Sequence, residues 1–509
     1  MRSISQFNNR RGQVIIMFTL MLPVLMMMVG LAIDRTMLFI VEAKLDAAVD
    51  GAALGAGRLL GTNANTPEIA GEFLAANFPS SYWGSYSFTP TISSTDVLSL
   101  HTINVGASVK VPLLFMRMFG PGYNTVTSFA KTTRRDSRIV MVLDRSGSMS
   151  GQITNLKTAA TQFAGLFTAS DELGLVVFGS SAIVAYPTAR PYNFSPASAG
   201  GPDNSYATEQ TGGDMLDMIT AIQSGGDTGT AEALSLAYIE LQKGHARDMA
   251  TYGTDDRLNA IVLFTDGQPT AISVNLNTTG TLAGSSVKTG TGSTCTYKTT
   301  TTAADEMIGW IGDLGFGSGS GYSAGLYLLA NRDTNTALWW MQNASKDLLP
   351  ISPATPVAGC AYLQGKGISN GTKTDLTDLA HFPTYDLYNN STTDSFYTQS
   401  WLYQQTPVTY DPTQVTSQYH LGIASWNAAD NAGTTIRTQV AMNPIVIYTI
   451  GYTGDGGVDT ALLQRLANSQ DSPSYNATQP TGVYVVANSS ADVLAAFYTV
   501  ASSILRLAQ

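Results

Sequence analysis

Charge, histidine and cysteine are all scarce in this chain of 509 residues. Asp, Glu, Lys and Arg make up 13% of it, against roughly 25% in an ordinary soluble domain. Solubility must come instead from Ser, Thr, Asn, Gln and Gly, a balance more common in exported and surface proteins than in cytosolic enzymes. The 4 His (His101, His245, His381, His420) stand far apart with no partner at ligand spacing, which excludes most histidine-based catalysis and metal binding. The 2 Cys, Cys295 and Cys360, are too few for a Cys-rich zinc site. Positive charge is short as well. The formal net charge of −10 argues against nucleic acid, because phosphate binding needs clustered Lys and Arg. Nor is there a His–Ser–acid set, an HExxH motif or a Lys-bearing phosphate loop, so an enzyme is not expected.

What is present begins with hydrophobicity, 44% of the chain, enough for a real core. The length suggests about two to four domains. Residues 14–33, "VIIMFTLMLPVLMMMVGLAI", are uncharged and match the roughly 20 residues that cross a bilayer as a helix. Pro23 inside the run is tolerable in lipid, where neighbouring groups satisfy the freed carbonyl. Arg2, Arg10 and Arg11 precede it. The positive-inside rule then places the N-terminus in the cytoplasm and everything after Ile33 outside, as a single-pass inner-membrane protein with a periplasmic or extracellular bulk. A cleaved signal peptide is the other reading, with Gly30–Ala32 as cleavage site. The run exceeds an h-region of roughly 7–15 residues, so a retained anchor is expected.

Beyond the membrane, Leu45, Ala48, Val49, Ala52, Ala56, Leu59 and Leu60 keep the spacing of one helix face. Ala48, Ala52 and Ala56 form a line of small residues that admits a close neighbour, either another protein's helix or the chain's own next domain. "RRGQVIIMFTLMLPVLMMMVGLAID" followed by "KLDAAVDGAALGAG" resembles the N-terminal segment of TadG/TadE-like proteins of the tight-adherence (Flp) pilus system. The resemblance covers about the first 60 residues and implies a role in pilus assembly, with the Ala-rich helix open to other assembly proteins. Prepilins of the type IV class carry Glu five residues after the Gly where they are processed; Gly12 is followed at that offset by Met17. An anchored accessory protein is therefore expected rather than a pilus subunit.

Residues 61–135 read as a small α+β module. "PEIAGEFLAANF" suggests a helix, and "INVGASVKVPLL" and "NTVTSFAKTTRR" alternate like strands. The basic "KTTRRDSR" at residues 131–138 reads as a linker. From residue 136 onward the pattern becomes α/β. "SRIVMVLD", "ELGLVVFG", "LNAIVLFTD" and "PIVIYTIGY" read as buried strands alternating with helices, and "GVYVVAN" as an edge strand. That order predicts a doubly wound, mostly parallel sheet, whose ligands sit beyond the carboxyl ends of the strands.

Asp144 and Asp266 both fall at such ends. Ser146 and Ser148 follow Asp144 at every second position, and "GGDTGTAEAL" sets Thr228 and Thr230 just before a helix. Oxygen-only ligands of this kind select Mg²⁺, Ca²⁺ or Mn²⁺ over zinc or copper. The three segments resemble the metal-ion-dependent adhesion site (MIDAS) of von Willebrand factor type A domains, its Asp-x-Ser-x-Ser motif standing here as Asp144, Ser146 and Ser148. The resemblance implies a site for a divalent cation, most suitably Mg²⁺. Ser146, Ser148 and Thr228 would coordinate directly, with Thr230 the second choice for the threonine. Asp144 and Asp266 would act largely through water, and a protein partner would present a carboxylate to the ion.

The family pattern is broken by an insertion at about residues 270–418, rich in Thr, Ser, Gly and Tyr, with one helical stretch, "ALWWMQNASKDLL". It follows the third loop and could cap the metal rim. Both cysteines lie in it, so a Cys295–Cys360 disulfide is expected in an exported chain. The function expected is that of a membrane-anchored, extracytoplasmic pilus assembly protein that captures a partner through its metal. A structural membrane scaffold, with the metal only stabilising loops, is the alternative.

Overall fold

The computed structural model describes residues 10–61, 64–118, 120–168, 170–186, 215–276, 286–289, 296–299, 307–313, 322–328, 381–393, 399–400, 408–415, 418–454 and 457–508. They form two compact units divided between Arg135 and Asp136.

The first unit is built on one long helix, α1 (Arg10–Gly57), which runs through Pro23. Side chains of residues 15–29 are all exposed, as expected of a lipid-facing span. From Leu38 onward one face is buried at helical spacing: Leu38, Val41, Leu45, Ala48, Ala52 and Ala56. Against it lie α2 (Thr66–Asn77), opened by Pro67, and the antiparallel meander β1 (Tyr86–Val97), β2 (Leu100–Pro112) and β3 (Tyr123–Arg135). Every second residue of β2, from Ile103 to Val111, is buried and packs in the same core. The alanine line is therefore occupied by the chain's own sheet, not held open for another protein's helix. The division expected at residue 60 is no boundary, since helix and module share this core. The segment read as a basic linker is also no linker, because Lys131–Arg135 completes β3 and the next strand begins at Ser137.

The second unit is the α/β body. Its six-stranded sheet has the order β16-β15-β7-β4-β5-β6, all parallel except the edge strand β6 (Ala182–Tyr186). β4 (Ser137–Asp144), β5 (Glu172–Phe178), β7 (Leu258–Thr265) and β15 (Ile445–Tyr452) are short apolar runs covered on both faces, and β16 (Tyr484–Ala487) is the other edge. One face packs α3 (Ile153–Ala164), α4 (Met215–Ala221) and a C-terminal helix, α8 (Ser490–Ala508). The other packs α5 (Thr230–Tyr252), α6 (Gln418–Thr438) and α7 (Thr460–Ala467). α8 is long and apolar enough to cross a membrane. However, Val493, Phe497, Val500 and Ile504 are buried on the sheet, which identifies it as a core helix.

The insertion adds β8 (Ala271–Leu276), β11 (Met307–Asp313) and β12 (Tyr322–Leu328) as a second, antiparallel sheet. Two further pairs, β9 (Ser286–Thr289) with β10 (Thr296–Thr299) and β13 (Gln399–Ser400) with β14 (Val408–Thr409), complete it among the described residues. Residues 381–393 are sewn to α5 by Tyr388 Oη donating to Glu232 Oε1 at 3.2 Å and Asn390 Nδ2 donating to Ser235 Oγ at 2.9 Å. Cys295, Cys360 and the expected helical stretch lie outside the described residues.

At the amino end of the sheet, Arg138 is buried among carboxylates. Its Nε reaches Glu172 Oε2 at 2.7 Å, Nη2 reaches Asp248 Oδ2 at 2.7 Å and Nη1 reaches Asp255 Oδ2 at 2.9 Å. Gly244 makes room for it, since a Cβ there would lie 2.4 Å from Arg138 Nε. Burial raises the Asp255 carboxyl, but the hydrogen bond and charge of Arg138 outweigh it and hold the group below its ordinary value. Stability from a lowered carboxyl is complete above the unfolded value of about 3.9 and is lost as pH falls through the folded value. Arg138→Ala takes one guanidinium from Glu172 and Asp248 and from Asp255 the one guanidinium it bonds among the described residues, and should cost about 3–5 kcal/mol. The urea midpoint of the detergent-solubilised chain should drop accordingly, and its dependence on pH at the acid end should flatten.

Candidate metal centre

The carboxyl end of β4 closes on Asp144, which is completely buried. Its Oδ1 accepts the Ser146 N–H at 2.7 Å, and its Oδ2 accepts the Thr265 hydroxyl at the end of β7. Burial pushes this carboxyl up to about 6, against the hydrogen bonds from Thr265 and Ser146 and the charge of Arg145. After Ser146 the chain tightens into a 3₁₀ turn, Gly147–Gly151. That turn brings the two serine hydroxyls to 3.0 Å from each other.

Asp266 arrives from β7. Its Oδ1 accepts from Ser148 Oγ at 2.8 Å and lies 3.5 Å from Ser146 Oγ. The three oxygens form a triangle with edges of 2.8, 3.0 and 3.5 Å. Around Mg²⁺, with metal–oxygen distances of about 2.1 Å, adjacent octahedral ligands stand about 3.0 Å apart. Two edges of the triangle are close to that spacing and the third is longer; the shortest is the Ser148–Asp266 hydrogen bond, which a cation would replace.

The loop before α5 supplies the next oxygen. A Cβ placed on Gly267 would lie 3.4 Å from Thr228 Oγ1 and 3.9 Å from Ser148 Oγ, so both hydroxyls border the space a side chain would fill there. Thr230 instead opens α5 and is buried. Backbone bonds fix this loop on both sides: Gly147 N–H donates to Gly226 O at 2.8 Å, Gly225 N–H to Arg145 O at 2.6 Å and Gly229 N–H to Gly179 O at 2.6 Å. Thr228 is gripped in turn by the start of the insertion, its N–H donating to Thr270 Oγ1 at 2.9 Å and its carbonyl accepting from Thr270 N–H at 3.0 Å. Asp144, Ser146, Thr228 and Asp266 are buried, whereas Ser148 is exposed, so the oxygen cluster opens to solvent on the Ser148 side.

Asp144, Ser146, Ser148, Thr228 and Asp266 are thus brought to one rim. Among the described residues no three His, Cys, Asp or Glu side chains group as metal ligands, and the donors that meet at this rim are hydroxyl and carboxylate oxygens. Such a donor set fits a hard cation. Two partners escaped the sequence reading. Thr265 holds Asp144, and its place in the sequence carries no local signal of that. Asp227 locks onto Ser180 through two 2.8 Å bonds, Ser180 Oγ to Asp227 Oδ2 and Asp227 N–H to Ser180 Oγ.

The von Willebrand factor type A domain family matches residues 139–268, which contain all three loops. The Flp pilus-assembly TadE/G-like family matches residues 12–59, the apolar part of α1 and its alanine-rich continuation. Among solved structures, the PilB minor pilin from Streptococcus sanguinis is similar at 15% identity and a TM-score of 0.35, over 84% of this chain and 80% of that one. A von Willebrand factor type A protein from Catenulispora acidiphila is similar at 9% identity and a TM-score of 0.30, over 82% of this chain and 50% of that one. The adhesive tip pilin GBS104 from Group B Streptococcus agalactiae is similar at 13% identity and a TM-score of 0.31, over 73% of this chain and 100% of that one. No curated protein matches. The chain thus carries a von Willebrand factor type A domain matched at residues 139–268 and a TadE/G-like segment matched at residues 12–59, the latter within an N-terminal helix long and apolar enough to span a membrane.

Proposed function

We propose that this protein is held in the inner membrane by α1, with its N-terminus cytoplasmic, and that its type A domain captures a protein partner in pilus assembly through a divalent cation. The observation that carries the reading is the oxygen triangle of Ser146, Ser148 and Asp266 at the open rim. Mg²⁺ is the cation proposed, with Ca²⁺ and Mn²⁺ as alternatives of the same hard-oxygen chemistry. Ser146, Ser148 and Thr228 supply hydroxyl oxygen, and Asp266 stands beside them. Asp144 spends both carboxylate oxygens on Ser146 N–H and Thr265, so its part is to hold the loop and supply charge. Hydroxyl ligands leave much of the ion's charge uncompensated. A carboxylate from a partner, arriving on the exposed Ser148 side, would complete the shell. This makes the protein a binding component rather than an enzyme.

Mg²⁺ at about 100 times its Kd should stabilise the protein by about 2.7 kcal/mol, read as a rise in the thermal unfolding midpoint over EDTA. Asp144→Ala should abolish that rise, and Ser146→Ala should reduce it, because water can replace one hydroxyl. Partner capture should follow the same order, complete with Mg²⁺ and lost with EDTA or Asp144→Ala. Capture unchanged under both conditions would mean that the metal only stabilises loops, leaving the scaffold function. The orientation is tested by a cysteine replacing Thr95, which should react with a membrane-impermeant thiol reagent in cells whose outer membrane is permeabilised. Protection until lysis would reverse the topology.

A further inference from the structure

The connection between β2 and β3 exposes apolar side chains. Leu114, Phe115, Met116 and Met118 are 49%, 41%, 40% and 78% exposed, with Arg117 among them on the 3₁₀ turn Met116–Met118. Four large apolar side chains on one short turn form a patch that water disfavours, and such patches mark contact surfaces.

The position of the turn identifies the contact. The Asp34 carboxylate is buried and accepts three consecutive backbone N–H groups of this turn, from Leu114 at 2.8 Å, Phe115 at 3.0 Å and Met116 at 2.7 Å. Asp34 is the first charged residue after the apolar span, so these bonds pin the turn at the level where α1 leaves the bilayer. Phe115 reaches deeper. Its ring packs on Gly30, where a Cβ would lie 2.4 Å from Phe115 Cγ. Gly30 is four residues back along the helix, about 6 Å into the span.

The surroundings have the composition of a membrane interface. Trp83, Tyr86 and Tyr123 are exposed at this end of the sheet. Lys110 Nζ sits 4.5 Å from the centroid of the Tyr123 ring, and the Tyr86 and Tyr123 rings meet edge to face at 6.3 Å. Trp and Tyr collect at headgroup level, where their rings are amphipathic. Lys and Arg snorkel there with apolar stems in the lipid and charge in the water.

We propose that the turn at residues 114–118 is a second membrane contact, with Leu114, Phe115, Met116 and Met118 in the acyl region of the leaflet through which α1 exits. Arg117 and Lys110 then face the headgroups. The proposal rests on α1 being a membrane span. Lipid is the occupant because the patch is continuous, through the Phe115–Gly30 contact, with the lipid-facing surface of α1. Two attachment points on one rigid unit fix its tilt on the bilayer, which one helix alone would leave free.

The test uses the full chain in vesicles of phosphatidylethanolamine and phosphatidylglycerol, with a benzophenone amino acid placed singly at Met118, Met26 or Thr95. After illumination, lipid adducts should form at Met118 and at Met26 inside the span, and be lost at Thr95 on the far part of β1. A Met118 site as free of lipid adducts as Thr95, with Met26 still labelled, would overturn the proposal. Adducts from Met118 to a second copy of the chain in place of lipid would overturn it too, by making the patch a protein interface. An unlabelled Met26 would show that the span itself had been misread, an outcome distinct from either.

Discussion

The type A domain is organised around a carboxylate that has nowhere to go. Asp144 ends a strand covered on both faces and is itself wholly buried. A buried carboxylate is costly unless its oxygens are satisfied. Ser146 N–H satisfies one and the Thr265 hydroxyl the other, and these two bonds tie the first loop to the end of β7. The backbone bonds from Gly147 and Gly225 then fasten the first loop to the one before α5. The hydroxyls at the rim are therefore set by hydrogen bonds within the protein. A cation would meet a site already assembled, and little ordering would be charged against its binding.

Much of this was legible in the sequence because its signals are local. The strand preceding Asp144 is a bare apolar run, the serines alternate behind it, and Asp266 repeats the strand-end carboxylate. α1 and its buried face are equally readable, since helical spacing and an uncharged span need no tertiary information. Partners distant along the chain were not legible. Thr265 bonds a residue 121 positions away, and nothing at residue 265 marks it as different from any other strand threonine. Arg138 looked like part of a basic linker because a sequence shows its charge but not the three carboxylates that enclose it. β1 and β6 were missed for another reason. β1 is exposed along nearly its whole length and carries no apolar alternation, and β6 is five residues of edge strand. The alanine line was legible as a surface for close packing, but its occupant depends on where β2 and β3 fold back.

The insertion changes the surroundings of the site without interrupting the sheet. It leaves directly after the third loop, and its first residue pairs hold Thr228 from outside, so the loop that offers the threonine is clamped by an element foreign to the plain α/β pattern. Its later residues, 381–393, bond the first turns of α5, the helix that Thr228 precedes. Both contacts lie beside the rim. The exposed Ser148 marks the direction left open among the described residues.

The two ends of the parallel sheet handle buried charge in different ways. At the amino end, Arg138, Arg247 and Arg257 interlace with Glu172, Asp248 and Asp255, each carboxylate meeting a guanidinium within bonding distance. Asp136 joins them 3.8 Å from Arg257 Nη1, and His245 Nδ1 meets Asp255 Oδ2 at 2.8 Å, so three guanidiniums serve four carboxylates. At the carboxyl end, Asp144 and Asp266 share the rim with serine and threonine hydroxyls, and the neighbouring cation is Arg145. Its charge opposes the rise of the Asp144 carboxyl but does not cancel it, and the group still stands at about 6. Hydroxyls can donate hydrogen bonds to a carboxylate but bring no charge. The rim at the carboxyl end therefore combines two buried acids and neutral oxygens with one neighbouring guanidinium, whereas at the amino end the carboxylates bond guanidiniums directly. The amino end can hold the domain together without any ligand. On the proposed reading, a divalent cation at the carboxyl end would supply positive charge that the hydroxyls there do not bring.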